Sequence, residues 1–429
     1  MLVFLILFFN VCYAAPLTLK ASFEIALAQN PRQKAAIEGV LALEEASFAA
    51  YAPYYPELWG HASYRRFRDV IFLPKIETPL PFTIPEVVGP INDWAFNLYS
   101  RYTIYDSGLR RARLMKAFSN RNFAAEQTES IRQALLLQVA DSFFAYLKAQ
   151  NHLEVAQENY QRAKNHVLIS EMRQKVGAVP HLDVYRTKSA LAERNLNIYQ
   201  AKRALKVAQG ILNVSLGLPP EAPLELAEND LCMECLNLDD LFDASHKFRP
   251  EMGVAFEKIT FVEESIKEIK AEYGPLVTAS GLYGRHDSNF FPSIEQWSFG
   301  INIEWPLFQG FKTVHNLKKS KHELSQALFN LEETALQIRK DVWEAFALLE
   351  ENKESKLSSE SRLLYAEKAY HLAKKRYEVG ASTLNDLLDA QAAFFEAEQQ
   401  VINHHFNVSS SYVALLWSAG IIDEVIPNF

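Results

Sequence analysis

The sequence predicts a mainly α chain with transmembrane β: an internally duplicated, long α-helical coiled coil that also carries four β-strands. Three observations predict it. Leu109–Val176 and Lys312–Val379 each run for 68 residues without glycine or proline, which at 1.5 Å per residue is roughly 100 Å of helix. Trp297, Phe299, Ile301, Ile303, Trp305 and Leu307 alternate with Ser298, Gly300, Asn302, Glu304 and Pro306, a period of two that specifies a strand. A short stretch also occurs twice, as Val176-Gly177-Ala178 followed by Asp183 and as Val379-Gly380-Ala381 followed by Asp386.

The two copies stand 203 residues apart (380 − 177), and the same offset relates Tyr105 to Phe308 and Trp94 to Trp297. Nearer the start of each half the offset is 219 (250 − 31), as Pro31 and Pro250, or Tyr64 and Tyr283, show. Two constant offsets separated by one local length change indicate a tandem duplication. The expected boundaries are a first repeat over 15–219, a linker over 220–248, a second repeat over 249–420 and a tail over 421–429.

Residues 1–9 are apolar and lead to Cys12-Tyr13-Ala14-Ala15-Pro16. That reads as a signal peptide over 1–14. Cys12 raises lipidation, but Phe9-Asn10-Val11 lacks the small residue expected before a lipidated cysteine. No later stretch has the eighteen or more apolar residues of a spanning helix, so strands must make any membrane passage. A net charge of −8 and a pI near 5.8 argue against a nucleic-acid surface. Fifteen glycines in 429 residues are about half the usual share, which suits long helices.

In chain order, Ser22–Tyr51 is helical up to Pro53 and Pro56. Strands are expected over 58–70 and 94–105, with a proline-rich loop between them, and again over 276–288 and 297–308. The long helices 109–176 and 312–379 follow. Their seam positions step by four and three: Leu324, Leu328, Leu331, Ala335, Ile338, Val342, Ala345 and Leu349 in one, Leu135, Val139, Ser142, Tyr146, Ala149 and Leu153 in the other. Sustained heptads of this kind specify coiled-coil packing. Gly177 and Gly380 end these helices in a left-handed conformation, giving tips over 176–183 and 379–389. Return helices then run from His181 to Leu216 and from Leu384 to Trp417. Each covers half of its long partner, so Ser22–Tyr51 and Pro250–Tyr273 supply the other half by stacking end to end.

The chemistry-bearing candidates are few. The Cys232 and Cys235 spacing fits a redox pair, half a zinc site or a small-loop disulfide. No second cysteine or histidine pair lies close by to complete a zinc site, and an oxidising compartment favours the disulfide. His404 and His405 are adjacent on a helix and do not face each other. No catalytic, cofactor or metal constellation emerges, and the chain is not expected to be an enzyme.

Four stretches carry a family resemblance. They are Leu17-Thr18-Leu19 with Ala26-Leu27 and Asn30-Pro31, the junction Ile104-Tyr105-Asp106-Ser107-Gly108-Leu109-Arg110-Arg111-Ala112, the stop Leu216-Gly217-Leu218-Pro219, and the second tip through Ala390-Gln391. Together they resemble the TolC-type outer-membrane efflux proteins over nearly the whole mature chain. The resemblance implies a homotrimer whose chains each give four strands to one twelve-stranded outer-membrane barrel and their helices to a periplasmic tunnel. It implies an exit duct for an efflux or type I secretion system, served by an inner-membrane transporter and a periplasmic adaptor. Val176, Gly177, Ala178, Val379, Gly380 and Ala381 would then contact the adaptor. Asp183, Asp386 and Asp389 would line a periplasmic aperture. In the family a tyrosine and an arginine beside the second glycine latch that aperture. Tyr377 fits the tyrosine, but Ser382 stands two after Gly380, so one latch element is missing unless Arg173 or Arg376 substitutes. Trp94, Phe96, Trp297, Phe299, Ile301 and Trp305 are expected to face lipid. The alternative is a secreted or periplasmic coiled-coil structural or adaptor protein without membrane strands, which leaves the strand at Trp297 unexplained.

Overall fold

A computed structural model describes residues 16–66, 71–72, 87–88, 92–227 and 236–425. The expected signal peptide, Cys12 and the Cys232–Cys235 pair lie outside the described residues. The chain order is α1 (Leu19–Gln29), α2 (Pro31–Ala49), β1 (Glu57–Arg66), β2 (Ile71–Phe72), β3 (Val87–Val88), β4 (Asn92–Tyr105), α3 (Leu109–Lys175) and α4 (His181–Leu216). The second half gives α5 (Leu238–Phe248), α6 (Pro250–Ala271), β5 (Leu276–Asp287), β6 (Ile294–Glu304), α7 (Lys312–Glu378) and α8 (Leu384–Ser418). Two compact units form, one from 1–39, 125–254 and 332–429, the other from 40–124 and 255–331.

The first unit is helical. Its core holds Phe23 of α1, Leu135, Leu136, Val139 and Phe143 of α3, Leu212 and Leu216 of α4, Val342 of α7 and Val413 and Leu415 of α8. Each such side chain contributes about 1.5–3 kcal/mol on burial. The seam of α3 is buried at Leu135, Val139, Ser142, Tyr146, Ala149, Ala156 and Ala163, so the heptads do pack one face inward.

End-to-end stacking is built the same way in both halves. Gly217, at φ +83, closes α4 against the α1–α2 junction, where a Cβ would stand 2.9 Å from backbone atoms of Gln29 and Asn30. Gly420, at φ +76, closes α8 against the α5–α6 junction, 2.7 Å from the Phe248 carbonyl carbon. Asn30 Nδ2 donates to the Ser215 carbonyl at 2.8 Å. Its counterpart Arg249 donates to the Trp417 carbonyl at 3.3 Å and lies 4.4 Å from the Trp417 ring. Arg249 is buried, and Glu251 at 3.0 Å and Asp341 at 3.6 Å balance its charge, as a buried cation requires.

The stretch 220–248, expected to be a linker, carries structure at both of its described ends. Leu17 bridges Leu226 in parallel, and α5 fills its end, capped by Asn237. The expected tail is also packed up to Ile422, which is fully buried, and Asp423, which pairs with Arg132.

The second unit holds a four-stranded antiparallel sheet of order β1-β4-β5-β6. Pairing of β4 with β5 joins the two repeats into one sheet. Among the described residues both outer edges, on β1 and β6, are unpaired. At the β4–α3 turn, Ser107 (φ +58) and Gly108 (φ +92) reverse the chain. There Asp106 accepts from Arg110 N–H at 2.7 Å and from its Nε at 3.0 Å.

Three expectations shift. Strand β6 spans Ile294–Glu304 rather than 297–308, because its partner β5 begins at Leu276 and the last pair is Leu276 with Glu304. Pro306 has no N–H to extend the ladder. Trp305 therefore lies beyond the strand, its Nε1 donating to the Tyr273 carbonyl at 3.0 Å. Leu328 is half exposed, and Ala327 takes the buried place beside it.

Candidate functional site: two helix tips and one sheet face

Each tip is a Schellman closure. At the first, Gly177 stands at φ +73, its N–H meets the Gln174 carbonyl at 2.9 Å, and the Ala178 N–H meets the Arg173 carbonyl at 2.9 Å. At the second, Gly380 stands at φ +80 with the Tyr377 carbonyl at 3.0 Å, and Ala381 reaches the Arg376 carbonyl at 2.8 Å. Val176 and Val379 are 78% and 81% exposed. A Cβ on Gly177 would meet nothing within 4 Å, and one on Gly380 would meet only the Arg173 guanidinium at 3.3 Å. Both tips thus present an uncrowded Val-Gly-Ala surface.

The six-residue spacing puts Asp183 and Asp386 at the third position of α4 and α8. Only the second copy has a capping box: the Thr383 hydroxyl accepts from Asp386 N–H at 3.2 Å, and Asp386 Oδ2 accepts from Thr383 N–H at 3.0 Å. The bond from the Thr383 backbone holds the Asp386 carboxyl below the usual carboxylate range. In the first copy Pro180 takes the place of Thr383 and offers no side-chain cap, so Asp183 sits in the first turn of α4 without a capping box. Asp386 and Asp389 are exposed, and Asp183 is partly exposed.

Between the hairpins, Arg173 of α3 donates to the Tyr377 carbonyl and lies 4.8 Å from the Tyr377 ring. Of Arg173 and Arg376, Arg173 is thus the one that bridges the hairpins, whereas Arg376 donates to the Ala381 carbonyl of its own hairpin at 3.5 Å. Tyr377 is 2% exposed and packs with Tyr370, Leu384, Leu387 and Phe394. Burial pushes its phenol up, and its hydroxyl has no partner among the described residues. Ser382 Oγ is likewise buried and unpartnered.

A set of polar pairs continues up this joint, and sequence reasoning did not find them. Asn159 pairs with Gln391 at 2.9 Å, Arg162 with Glu398, and His166 Nε2 with the Tyr370 hydroxyl at 3.1 Å. Burial, and then Lys374, pushes the His166 imidazole down to about 4. The available signal was a polar residue at a position adjoining the apolar seam.

On the sheet, cross-strand partners share a face. The rows Tyr64–Trp94, Ala62–Phe96–Arg285–Glu295, Gly60–Leu98–Tyr283–Trp297, Gly281–Phe299 and Ala279–Ile301 lie on one side. Five of the six residues expected to face lipid thus share a face, and Trp305 stands beyond the strand end. Trp297 and Phe299 are 74% and 71% exposed. The other face is mixed: Asn97, Arg101, Gln296, Ser298 and Asn302 lie there with Trp59, Tyr99 and Leu282. Gln296 Nε2 reaches Asn97 Oδ1 at 3.0 Å across β5. Only glycine at 284 permits this, because a Cβ there would lie 2.1 Å from Asn97 Oδ1.

Among the described residues no helix is long and apolar enough to cross a membrane, and no group of three or more His, Cys, Asp or Glu could hold a metal. The family model described as "Outer membrane efflux protein" matches residues 23–218 and 246–420. The chain is 26% identical over 326 residues to Protein CyaE of Bordetella pertussis, covering 74% of this chain and 69% of that one. It is 24% identical over 391 residues to the solvent efflux pump outer membrane protein SrpC of Pseudomonas putida, covering 86% and 78%. A solved structure of CusC superposes with a TM-score of 0.81 at 18% identity, over 94% of this chain and 92% of that one.

Proposed function

Because the chain belongs to the outer membrane efflux protein family, we propose that its tips and its sheet are the two working parts of a trimeric exit duct. The protein is an outer-membrane channel of a tripartite efflux or secretion system, with a periplasmic helical tunnel, and it is not an enzyme. The observation that carries the finer reading is the sheet, which has one exposed apolar face, one more polar face and, among the described residues, two open edges. Four strands cannot close a barrel. Three chains joined through β1 and β6 would give twelve strands, satisfy both edges, and set the apolar face against lipid and the polar face against the lumen.

The tips are the adaptor-facing surface. Val176-Gly177-Ala178 and Val379-Gly380-Ala381 offer small, exposed surfaces that a helical hairpin of the adaptor can approach closely. Three-fold symmetry brings copies of Asp386 and Asp389 around one axis, a carboxylate ring that favours cations. Mutual repulsion within that ring works against closure. The Arg173–Tyr377 contact holds each pair of hairpins together against it, in the role of the missing latch arginine. The test is fractionation with gel migration: the protein is expected in the outer membrane as an oligomer that separates into single chains only on heating. A soluble periplasmic monomer would overturn the reading.

A further inference from the structure

The apolar face of the sheet is not uniform. An open groove of about 890 Å³ lies on it, and its lining includes Gly60, Phe96, Leu98, Tyr283, Arg285 and Phe291. Gly60 is in the interior of β1, opposite Leu98. Its backbone does not require glycine, since a Cβ there would meet nothing within 4 Å. A glycine in mid-strand weakens the strand and often marks the close approach of a ligand.

Arg285 is exposed on this face between Phe96 and Glu295, and among the described residues it makes no ion pair, not even with Glu295 opposite. It lies one row beyond Tyr283 and Trp297 and one row short of Trp94. Aromatic side chains of this kind mark the headgroup level, where a lipid-facing arginine costs little. Arg285 is near the β5–β6 turn, at the end of the sheet away from the strand-to-helix connections, and hence at the outer leaflet. The groove opens on the face that stays outward when chains join through their edges.

We infer that this groove binds a phosphorylated acyl lipid of the outer leaflet. An acyl chain lies over Gly60 against Leu98, and the Arg285 guanidinium holds the phosphate by paired N–H donors. Glu295 is left free to accept from a sugar hydroxyl of the same headgroup. The inference rests on the lipid-facing reading of the sheet. Its test is native mass spectrometry of the full-length protein in detergent, equilibrated with bisphosphorylated lipid A or with the same lipid after dephosphorylation. Retention of the phosphorylated form is expected, with a loss of about tenfold in Arg285→Gln, the loss of one charge-assisted contact. Arg285→Lys should retain part of the binding, and Gly60→Leu should block the chain without touching the cation. Equal retention by Arg285→Gln, or equal retention of the dephosphorylated lipid, would overturn the inference. Ile301→Arg separates the two levels: if it still destabilises the barrel when no lipid is retained, the groove fails and the lipid-facing reading stands.

Discussion

Replacing Gly217 by alanine isolates the end-to-end joint between α4 and the α1–α2 junction. Alanine in a left-handed conformation costs about 1–2 kcal/mol, and a smaller unfolded-state gain offsets part of that. At Gly177 this is the whole effect, because its Cβ would enter open space; a net loss of about 1 kcal/mol is expected there. At Gly217 the Cβ would also stand 2.9 Å from the backbone of Gln29 and Asn30, atoms that cannot swing aside as a flexible side chain can. Overpacking of this kind adds about 1–3 kcal/mol, so the total is about 2–4 kcal/mol. Urea unfolding followed by far-ultraviolet circular dichroism measures both variants, and Gly217→Ala should move the helical midpoint about two to four times as far, by the ratio of those costs. Equal shifts for Gly177→Ala and Gly217→Ala would refute the reasoning, since φ alone would then account for both.

Three further outcomes follow from the geometry. Ile301→Arg on the apolar face should lower barrel stability by about 2–4 kcal/mol if the residue is near the bilayer midplane, read as a lower temperature for oligomer dissociation on gels; an unchanged temperature would contradict the face assignment. Ala178→Phe with Ala381→Phe should abolish efflux while leaving the oligomer intact, because both tips are exposed and uncrowded; normal efflux would reduce the tip glycines to helix caps. His166 is held neutral in the fold, with its pKa down to about 4, against about 6.5 in the unfolded chain. The unfolded state therefore binds more protons between those values, and stability present above about pH 6.5 is lost as the pH falls to about 4, by roughly 3 kcal/mol at most. His166→Gln should flatten that slope, and an unaltered slope would assign it to other groups.

The long helices were legible because 68 residues without glycine or proline admit little else, and the tips because a glycine ending such a run calls for positive φ, which Gly177 and Gly380 have. The strand alternation was equally plain in Trp297 to Ile303, yet the end of β6 was not. Alternation continues through Trp305 and Leu307, whereas the ladder stops where β5 stops, a fact about the partner strand. Leu328 shows the same limit on a helix: the heptad step permits either 327 or 328, and packing selects Ala327. The polar pairs Asn159–Gln391 and His166–Tyr370 join residues 232 and 204 positions apart. Each residue taken alone reads as an ordinary helix surface position, so only the packed hairpins reveal the pairs. The resemblance leaves both Arg173 and Arg376 open as a substitute for the latch arginine, and the fold shows that Arg173 is the one in contact with the other hairpin.

Single-channel recording of the purified protein in planar bilayers tests the central claim most directly. The account predicts discrete conductance steps blocked by a trivalent cation such as hexaamminecobalt from the periplasmic side. Asp386→Asn with Asp389→Asn should remove the block, and Arg173→Ala should raise the unblocked conductance by loosening the Tyr377 contact. Absence of any conductance would contradict the exit duct itself, and a block that survives both aspartate substitutions would contradict the aperture at the tips.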